Sequence, residues 1–320
     1  MGHLQILVVL PVQEVHKQLL EQSAPEARFI YASEQNLSEE LLKTIDIVIG
    51  NIPIPYLQQA KQLKWIQLSS AGANQYTQKG VLSDKVLLTN ATGAYGLAIS
   101  EYMLSAVLTI FKNFHQYRDQ QKQHGWHYAG QVKSIYGCTA LILGLGDIGG
   151  AFAKRMKALG ASTIGIKRRP KEKPDYLDEL HTMEYLQQLL PRADVVAISL
   201  PETPQTYHLI NAERLALMKE DAVLINIGRG SIVDTDALYT ALIQHRLRGA
   251  VLDVTDPEPL PQQHPLWDCS NVLITPHISG GYSLPETFEK IIKISADNLK
   301  RYISGQILHN LVDFETGYCK

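Results

Sequence analysis

Three side chains suited to ion-pair and acid–base chemistry lie in the second half of the chain. They are Arg229 in INIGRGSIVD, Glu258 in LDVTDPEPL and His277 in LITPHISG. Arginine presents a planar, permanently charged fork that matches a carboxylate. Histidine exchanges protons near neutral pH, and a neighbouring carboxylate orients it and favours its protonated form. Together these residue types can bind a carboxylate and transfer a proton beside it.

Each of the three follows an apolar stretch that predicts a strand. Ligands of open α/β sheets bind outside the carboxyl ends of parallel strands, so we expect the three side chains to converge there. Each residue alone also has a structural interpretation: Arg229 as a loop cap, Glu258 as a solvated turn, and His277 as a hydrogen-bonded core histidine. Their common position favours a catalytic site.

A glycine motif precedes these residues in the string TALILGLGDIGG. An apolar run at residues 140–143 predicts a buried strand, and residues 151–159 predict a helix. Between them, Gly144 permits a tight turn, Gly146 lets the backbone approach a pyrophosphate, and Gly149 allows close packing of helix on strand. With a second strand following at residues 162–166, this context predicts a dinucleotide site; a plain strand-turn-helix is the alternative.

The second strand ends in three cations, Lys167, Arg168 and Arg169. In a dinucleotide fold this position faces the adenosine ribose, where an acid would accept from both hydroxyls and repel a 2′-phosphate. Adjacent cations instead suit a phosphate. We therefore expect NADP(H) to be preferred over NAD(H); a solvated basic turn is the alternative.

The elements around these motifs alternate between strand-like and helix-like patterns, which predicts parallel sheets. First-lobe strands are expected at residues 6–10, 28–32, 45–49 and 63–68, with helices at 12–22 and 38–43. A long helix is expected at 97–117, followed by the aromatic, polar loop QQKQHGWHYAGQ. Further strands are expected at 195–200, 222–226, 249–252 and 272–275, with helices at 184–190, 211–217, 234–245 and 285–302.

Length and pattern together predict an α/β protein of two Rossmann-like lobes with doubly wound parallel sheets and an active site in the cleft between them. The expected domains are residues 1–98 with 283–320 for substrate and residues 99–282 for the dinucleotide.

The composition indicates which kinds of binding partner and which cellular compartment to expect. Of 320 residues 19% are charged, and the net charge is -2, so no overall field attracts nucleic acid or acidic membranes. The longest apolar runs are too short to span a bilayer, and the N-terminus resembles a first strand and not a signal peptide. Three cysteines, Cys138, Cys269 and Cys319, are expected as free thiols in the cytoplasm. No metal ion is expected.

The strings LGLGDIG, SLPETPQTYHLI, LINIGRGSIVD, LDVTDPEPL with HPLW, and LITPHISG resemble the D-isomer-specific 2-hydroxyacid dehydrogenase family. They occur in the family's order, and LSSAGAN (68–74) and the helix containing Glu101 are similar to its first-lobe motifs. Within the family, the SSAGA loop, the HISG ending and the basic run look most like the NADPH-linked glyoxylate/hydroxypyruvate reductases.

The resemblance implies a role for each matched residue. Arg229 would bind the substrate carboxylate and polarise the keto group, with His277 as general acid and Glu258 as its partner. Asp253 would meet the nicotinamide carboxamide. The loop Ser70, Ala71 and Gly72 would hold the carboxylate through backbone groups, and Pro201 with Thr203 would shape the cofactor wall. The full set of implied cofactor contacts is Gly144, Gly146, Asp147, Ile148, Gly149, Lys167, Arg168, Arg169, Pro201, Thr206, Ile227 and Asp253.

The resemblance thus implies a homodimeric oxidoreductase that reduces a small 2-keto acid, of the glyoxylate or hydroxypyruvate type, to its (R)-2-hydroxy acid with NADPH. Ala73-Asn74 stands where a Val-Asp pair is common, which leaves the substrate open. One alternative is a non-catalytic, dinucleotide-sensing corepressor on the same fold, which would not need the intact triad. A formate-type dehydrogenase is a second, and Glu258 between two prolines argues against it.

Overall fold

The computed structural model describes residues 3–169, 172–282 and 284–314. It forms two compact units, one drawn from Met1–Tyr95 with Tyr282–Lys320 and the other from Gly96–Gly281. Each unit contains one sheet in which the paired strands run parallel, so the predicted α/β class is confirmed. No helix in the described ranges has both the length and the apolar character to cross a membrane.

The first unit has a five-stranded sheet in the order β2-β1-β3-β4-β5. The strands are β1 (Gln5–Val9), β2 (Arg28–Tyr31), β3 (Ile47–Gly50), β4 (Trp65–Gln67) and β5 (Leu87–Thr89). The helices between them are α1 (Glu14–Ser23), α2 (Glu39–Leu42) and α3 (Ile54–Leu57). Strands β3 and β4 are buried along their whole length, as expected of strands covered on both faces.

The second unit has a seven-stranded sheet in the order β12-β11-β10-β9-β6-β7-β8. Its strands are β6 (Thr139–Leu143), β7 (Ser162–Ile166), β8 (Glu179–His181), β9 (Val195–Ile198), β10 (Val223–Asn226), β11 (Gly249–Leu252) and β12 (Val272–Ile274). Its helices are α4 (Gly96–Phe111), α5 (Phe114–Lys122), α6 (Asp147–Ala158), α7 (Leu186–Leu189), α8 (Ala212–Ala216) and α9 (Thr235–Ile243). The strand order reverses between β6 and β9, which is where ligands bind in open α/β sheets.

The amino ends of β6 and β9 are tied together by the carboxylate of Asp194. It accepts hydrogen bonds from Thr139 N (2.8 Å), Lys133 Nζ (3.0 Å) and Lys219 Nζ (3.1 Å). Burial by itself raises the pKa of Asp194, but the Thr139 N–H and the two ammonium groups outweigh it and hold that pKa below its ordinary value. The strand that carries the glycine loop is thereby fixed at its opposite end.

The last helix, α10 (Pro285–Ile303), returns the chain to the first unit. Its Tyr302 stacks on Trp65 of β4, with ring centroids 5.2 Å apart. Beyond the helix, Val312 N donates to Leu88 O at 2.8 Å and so extends the edge at β5.

The prediction of one long helix at residues 97–117 is wrong. Asn113 adopts a left-handed conformation (φ 58°) and separates α4 from α5. Its amide donates to the carbonyls of Ala129 (3.1 Å) and Gly130 (3.2 Å), partners that lie outside any helical period. Helix α5 then extends into the stretch expected as loop, ending at Lys122.

Three further differences concern short elements and helix starts. Helix α6 begins at Asp147, inside the glycine motif, and not at residue 151. Strands β5 and β8 were not predicted; each has three residues and lies at a sheet edge. The helix expected at 184–190 is α7 with a 3-10 turn on either side.

Candidate active site

The loop after β10 carries Arg229 and is wedged between the loops of its two neighbouring strands. A Cβ added to Gly228 would lie 2.5 Å from Leu200 O, in the loop after β9. One added to Gly230 would lie 1.9 Å from Thr255 O, in the loop after β11. Glycines on both sides of Arg229 are therefore required for the backbones to pack this closely.

The backbone of this loop is also fixed by Asn226, the last residue of β10. Its amide nitrogen donates to Arg229 O (2.8 Å), and its amide oxygen accepts from Gly228 N (3.1 Å). The half-buried guanidinium donates through Nη1 to Gly228 O at 2.6 Å. Burial lowers the pKa of Arg229, and the carboxylates of Glu202 and Glu258 oppose that shift. An arginine keeps its charge at neutral pH all the same, so the loop presents a fixed cation.

His277 and Glu258 form the acid–base pair that the sequence predicts should meet. Nδ1 of His277 lies 2.7 Å from Oε1 of Glu258, and both side chains are about half exposed. The residues follow β12 and β11, and β11 lies beside β10, which leads to Arg229. The structure therefore brings Arg229, Glu258 and His277 to the carboxyl ends of three adjacent strands. With Nδ1–H donated to the carboxylate, Nε2 is the ring nitrogen left to exchange a proton.

The turn that holds His277 is organised by the buried carboxylate of Asp253. Asp253 accepts hydrogen bonds from Thr275 Oγ1 (2.6 Å), Ile278 N (2.9 Å), Ser279 N (3.0 Å) and the hydroxyl of Ser279. His277 N donates to Asp253 O at 3.0 Å, and His277 adopts a left-handed φ of 52°. These contacts give Asp253 a positioning role; its expected contact with a nicotinamide carboxamide remains a prediction.

The three glycines of the motif have different steric surroundings. Gly144 has φ +96°, and a Cβ on Gly149 would lie 1.9 Å from Gly144 O. Gly146 has an ordinary φ of -77°, and a Cβ added there would have no heavy atom within 4 Å. The described part of the chain thus leaves open space beside Gly146.

This open space lies at the start of α6, whose N-cap is Gly146 and has no side-chain capping bond. First-turn N–H groups and the helix dipole there favour an anion. The carboxylate of Asp147, which would repel an anion, is turned to Gly96 N (2.7 Å) at the start of α4. Ile148 follows it in the first turn. The loop fits the pyrophosphate of a dinucleotide.

The basic run, residues 167–169, begins at the same end of the sheet as the glycine loop. Ile166, the last residue of β7, pairs with Leu143 of β6, and Gly144 N donates to Ile166 O at 3.0 Å. Lys167, Arg168 and Arg169 follow directly and are exposed.

The remaining expected cofactor residues lie in and beside the turn after β9. Thr206 is buried, donates through Oγ1 to Pro201 O (2.8 Å) and accepts from Thr203 N (2.8 Å). Its hydroxyl therefore closes the turn. Ile227 is buried where β10 enters the Arg229 loop.

In the first unit, the small-residue loop after β4 is supported by hydrogen bonds that its carbonyl oxygens accept. Ser70 O accepts from Ala91 N (2.9 Å), Ala71 O from Asn90 Nδ2 (2.7 Å) and Gly72 O from Ser70 Oγ (2.7 Å). With these acceptors paired, the loop is suited to offer its N–H groups to an anion.

Sequence reasoning missed the side chains that support this loop. Asn51, one residue beyond β3, accepts from Ser69 N (3.0 Å) and donates to Ser70 Oγ (3.1 Å). Tyr282 donates to Ser69 Oγ at 2.6 Å, and Tyr95 donates to Ser69 O. Only Asn51 had a usable signal, a polar side chain at the carboxyl end of a buried strand.

Comparison with known families identifies the second unit. Residues 104–279, more than half of the chain, match the family described as "D-isomer specific 2-hydroxyacid dehydrogenase, NAD binding domain". The chain belongs to this family. It is therefore an NAD(P)-dependent oxidoreductase with two Rossmann-like domains, as the sequence resemblance implied.

Individual relatives agree with this assignment. A glyoxylate reductase from Thermofilum pendens is 32% identical over 293 residues, which cover 87% of this chain and 85% of the relative. A D-isomer specific 2-hydroxyacid dehydrogenase from Xanthobacter autotrophicus, solved with NADPH and MES, has a TM-score of 0.83 at 28% identity, covering 99% of this chain and 100% of that one. An NADPH-dependent glyoxylate/hydroxypyruvate reductase from Sinorhizobium meliloti, solved with NADP and sulfate, has a TM-score of 0.83 at 25% identity, covering 98% and 100%. The predicted likeness to glyoxylate/hydroxypyruvate reductases is confirmed.

Proposed function

We propose that this protein reduces a small 2-keto acid, of the glyoxylate or hydroxypyruvate type, to the (R)-2-hydroxy acid with NADPH. The observation that carries the proposal is the 2.7 Å contact between His277 and Glu258, one strand away from the Arg229 loop. The names of the Thermofilum and Sinorhizobium relatives support this choice of substrate class.

In this proposal Arg229 binds the substrate carboxylate and polarises the keto oxygen. The neighbouring loops pack closely against Gly228 and Gly230 on either side of Arg229. The cation is therefore preorganised where negative charge develops. The N–H groups of Ser70, Ala71 and Gly72 are proposed as further donors to the carboxylate. The three carbonyls of the loop that carries them already accept hydrogen bonds within the first unit.

His277 acts as the general acid. Glu258 accepts from Nδ1, which fixes the ring orientation, and Nε2 delivers its proton to the keto oxygen as the alkoxide forms. The reduced nicotinamide, when bound, supplies the hydride to the keto carbon. In the reverse direction His277 accepts the hydroxyl proton.

We propose residues 99–282 as the dinucleotide domain and residues 1–98 with 283–320 as the substrate domain. The glycine loop holds the pyrophosphate, and Lys167, Arg168 and Arg169 favour a 2′-phosphate. The absence of a carboxylate at the end of β7 removes the group that would bond the ribose hydroxyls of NAD(H). The relatives solved with NADPH and NADP support this preference.

A homodimer is also proposed. Large apolar side chains after α4 are exposed: Phe114 (60%), Trp126 (96%), Tyr128 (78%) and Tyr136 (81%). Such an accumulation on a soluble surface is typical of an interface. Sedimentation at micromolar concentration should show a dimer, and a monomer would refute this part.

We propose a cytoplasmic location, with cysteines kept as thiols. Cys138 and Cys269 are free, and burial raises the pKa of the Cys138 thiol to about 11, so it is poorly reactive. Cys319 lies outside the described residues. The corepressor alternative is not favoured, because it does not require the His277–Glu258 pair.

The direct test is a panel of 2-keto acids assayed by NADPH oxidation. Glyoxylate and hydroxypyruvate should give the highest kcat/KM, and NADH should be used less efficiently. Cofactor binding without turnover on any member of the panel would favour the sensing alternative.

A further inference from the structure

Tyr102 of α4 contacts the turn that carries His277 from outside that turn. Its hydroxyl lies 2.6 Å from Thr275 Oγ1, one residue beyond β12. Thr275 Oγ1 in turn lies 2.6 Å from Oδ1 of the buried Asp253. All of these residues belong to the second unit, where Tyr102, Thr275 and Asp253 form one continuous chain of hydrogen bonds.

The direction of each hydrogen bond follows from the chemistry of the three groups. A carboxylate only accepts, so the single hydroxyl proton of Thr275 is donated to Asp253. Thr275 Oγ1 must therefore accept its other hydrogen bond from Tyr102. Burial raises the pKa of Tyr102 to about 12, so the phenol keeps the proton that it donates at neutral pH.

The packing of α4 fixes the position of this hydroxyl. A Cβ added to Gly249, the first residue of β11, would lie 3.2 Å from Ile110 Cγ2, so α4 packs closely on this strand. Eight residues of helix, from Ile110 back to Tyr102, span about 12 Å. Four residues of extended chain, from Gly249 to Asp253, span about 13 Å. Because the two distances match, a helix that runs along the strand brings Tyr102 to the level of Asp253.

The chain of hydrogen bonds ends on the backbone around His277. Asp253 Oδ1 also accepts from Ile278 N at 2.9 Å, and Asp253 O accepts from His277 N at 3.0 Å. The left-handed φ of 52° at His277 is one that a residue other than glycine keeps only where its surroundings fix it. Thr275 is one of these surroundings, and Tyr102 holds its hydroxyl from α4.

We infer that Tyr102 is a positioning residue for the proposed acid: its hydroxyl orients that of Thr275 toward Asp253 and so holds the turn from which His277 delivers its proton. This inference rests on the proposed function, because it takes His277 as the general acid. Tyr102 gives no proton to the substrate; it acts on the reaction only through the turn.

Single and double variants test whether Tyr102 acts through Thr275. Tyr102→Phe removes the hydroxyl and keeps the ring, whereas Thr275→Val removes both hydrogen bonds at similar side-chain size. Ser105→Ala is the matched control, because it removes another hydroxyl of α4, one that donates to Tyr102 O within the helix.

The two single variants, their combination and the control are assayed with NADPH and the 2-keto acid that wild type reduces best. NADPH affinity is measured by fluorescence titration. Hydrogen–deuterium exchange of wild type and Tyr102→Phe measures how often the turn at residues 275–279 opens.

Tyr102→Phe should lower kcat by about 3- to 10-fold, the effect of one lost hydrogen bond, while NADPH affinity stays within about twofold. Exchange in the turn should become faster. Thr275→Val should lower kcat at least as much, and adding Tyr102→Phe to it should cost less than about twofold more, because the acceptor is already gone. Ser105→Ala should keep the kcat of wild type.

An unchanged kcat in Tyr102→Phe, or its full further loss in the Thr275→Val background, would overturn the inference. Failure of wild type to reduce any 2-keto acid would instead refute the proposed function. The exchange rates would then still decide whether Tyr102 holds the turn, so the two failures are distinguishable.

Discussion

Replacing Gly146 and Gly149 by alanine separates the binding role of the glycine loop from its structural role. At Gly146 the φ of -77° is open to alanine, and an added Cβ has no neighbour within 4 Å. Loss of backbone freedom in the unfolded chain stabilises Gly146→Ala by about 0.4–1 kcal/mol. Loss of glycine at an N-cap costs a similar amount, so the free energy of unfolding should change by less than about 1 kcal/mol.

The effect of Gly146→Ala on binding should be much larger. The added methyl occupies the space beside the first-turn N–H groups of α6. Loss of one charge-assisted hydrogen bond to the pyrophosphate costs about 1.5–3 kcal/mol, which weakens NADPH binding by roughly 10- to 100-fold.

Gly149→Ala is the matched control, because it should lower the stability of the fold, whereas Gly146→Ala should lower NADPH affinity. The Cβ added at Gly149 would lie 1.9 Å from Gly144 O and 2.6 Å from Ser199 Oγ, so the backbone must shift. Overpacking of this kind costs about 1–3 kcal/mol, and each kcal/mol lowers Tm by roughly 2–4 °C in a domain of this size. Thermal melts of the apoproteins and NADPH titrations by fluorescence give both quantities. A Gly146→Ala variant that binds NADPH like wild type would refute the assignment of this loop.

Three further predictions follow from particular contacts. His277→Ala should lower the rate of keto-acid reduction by about 10²–10⁴-fold with little change in NADPH affinity, and turnover within threefold of wild type would remove His277 as the acid. Arg168→Ala should reduce the kcat/KM preference for NADPH over NADH, and added salt should do the same to wild type; an unchanged ratio would show that the basic run does not select the cofactor. Asp194, whose pKa is lowered in the fold, stabilises the protein above its unfolded pKa, and that contribution is lost as pH falls through the folded value. Urea unfolding of Asp194→Asn should therefore show a loss of about 2 kcal/mol at pH 7 that shrinks in acid, and a loss independent of pH would contradict the contact.

The features that could be predicted from sequence are those set by neighbours along the chain. β7 and β11 have the predicted limits. In β11 the apolar run GAVL is buried throughout, as expected of a strand covered on both faces. The early start of α6 was hidden because glycines disfavour helix. Gly149 and Gly150 nevertheless lie in the helix, where a Cβ would approach Gly144 O and the Tyr176 hydroxyl respectively.

The features that could not be predicted depend on partners distant in sequence. Asn113 breaks the long helix because Ala129, Gly130 and Arg248 engage its amide. Arg229, Glu258 and His277 were found because each lies within a few residues of the end of a recognisable strand.

Reduction of a 2-keto acid at the proposed Arg229, Glu258 and His277 site should have defined stereochemistry. The most direct measurement is chiral analysis of the glycerate formed from hydroxypyruvate and NADPH by wild type. We expect the (R) enantiomer in stoichiometric amount with the NADPH consumed. Formation of the (S) enantiomer, or no glycerate at all, would contradict it.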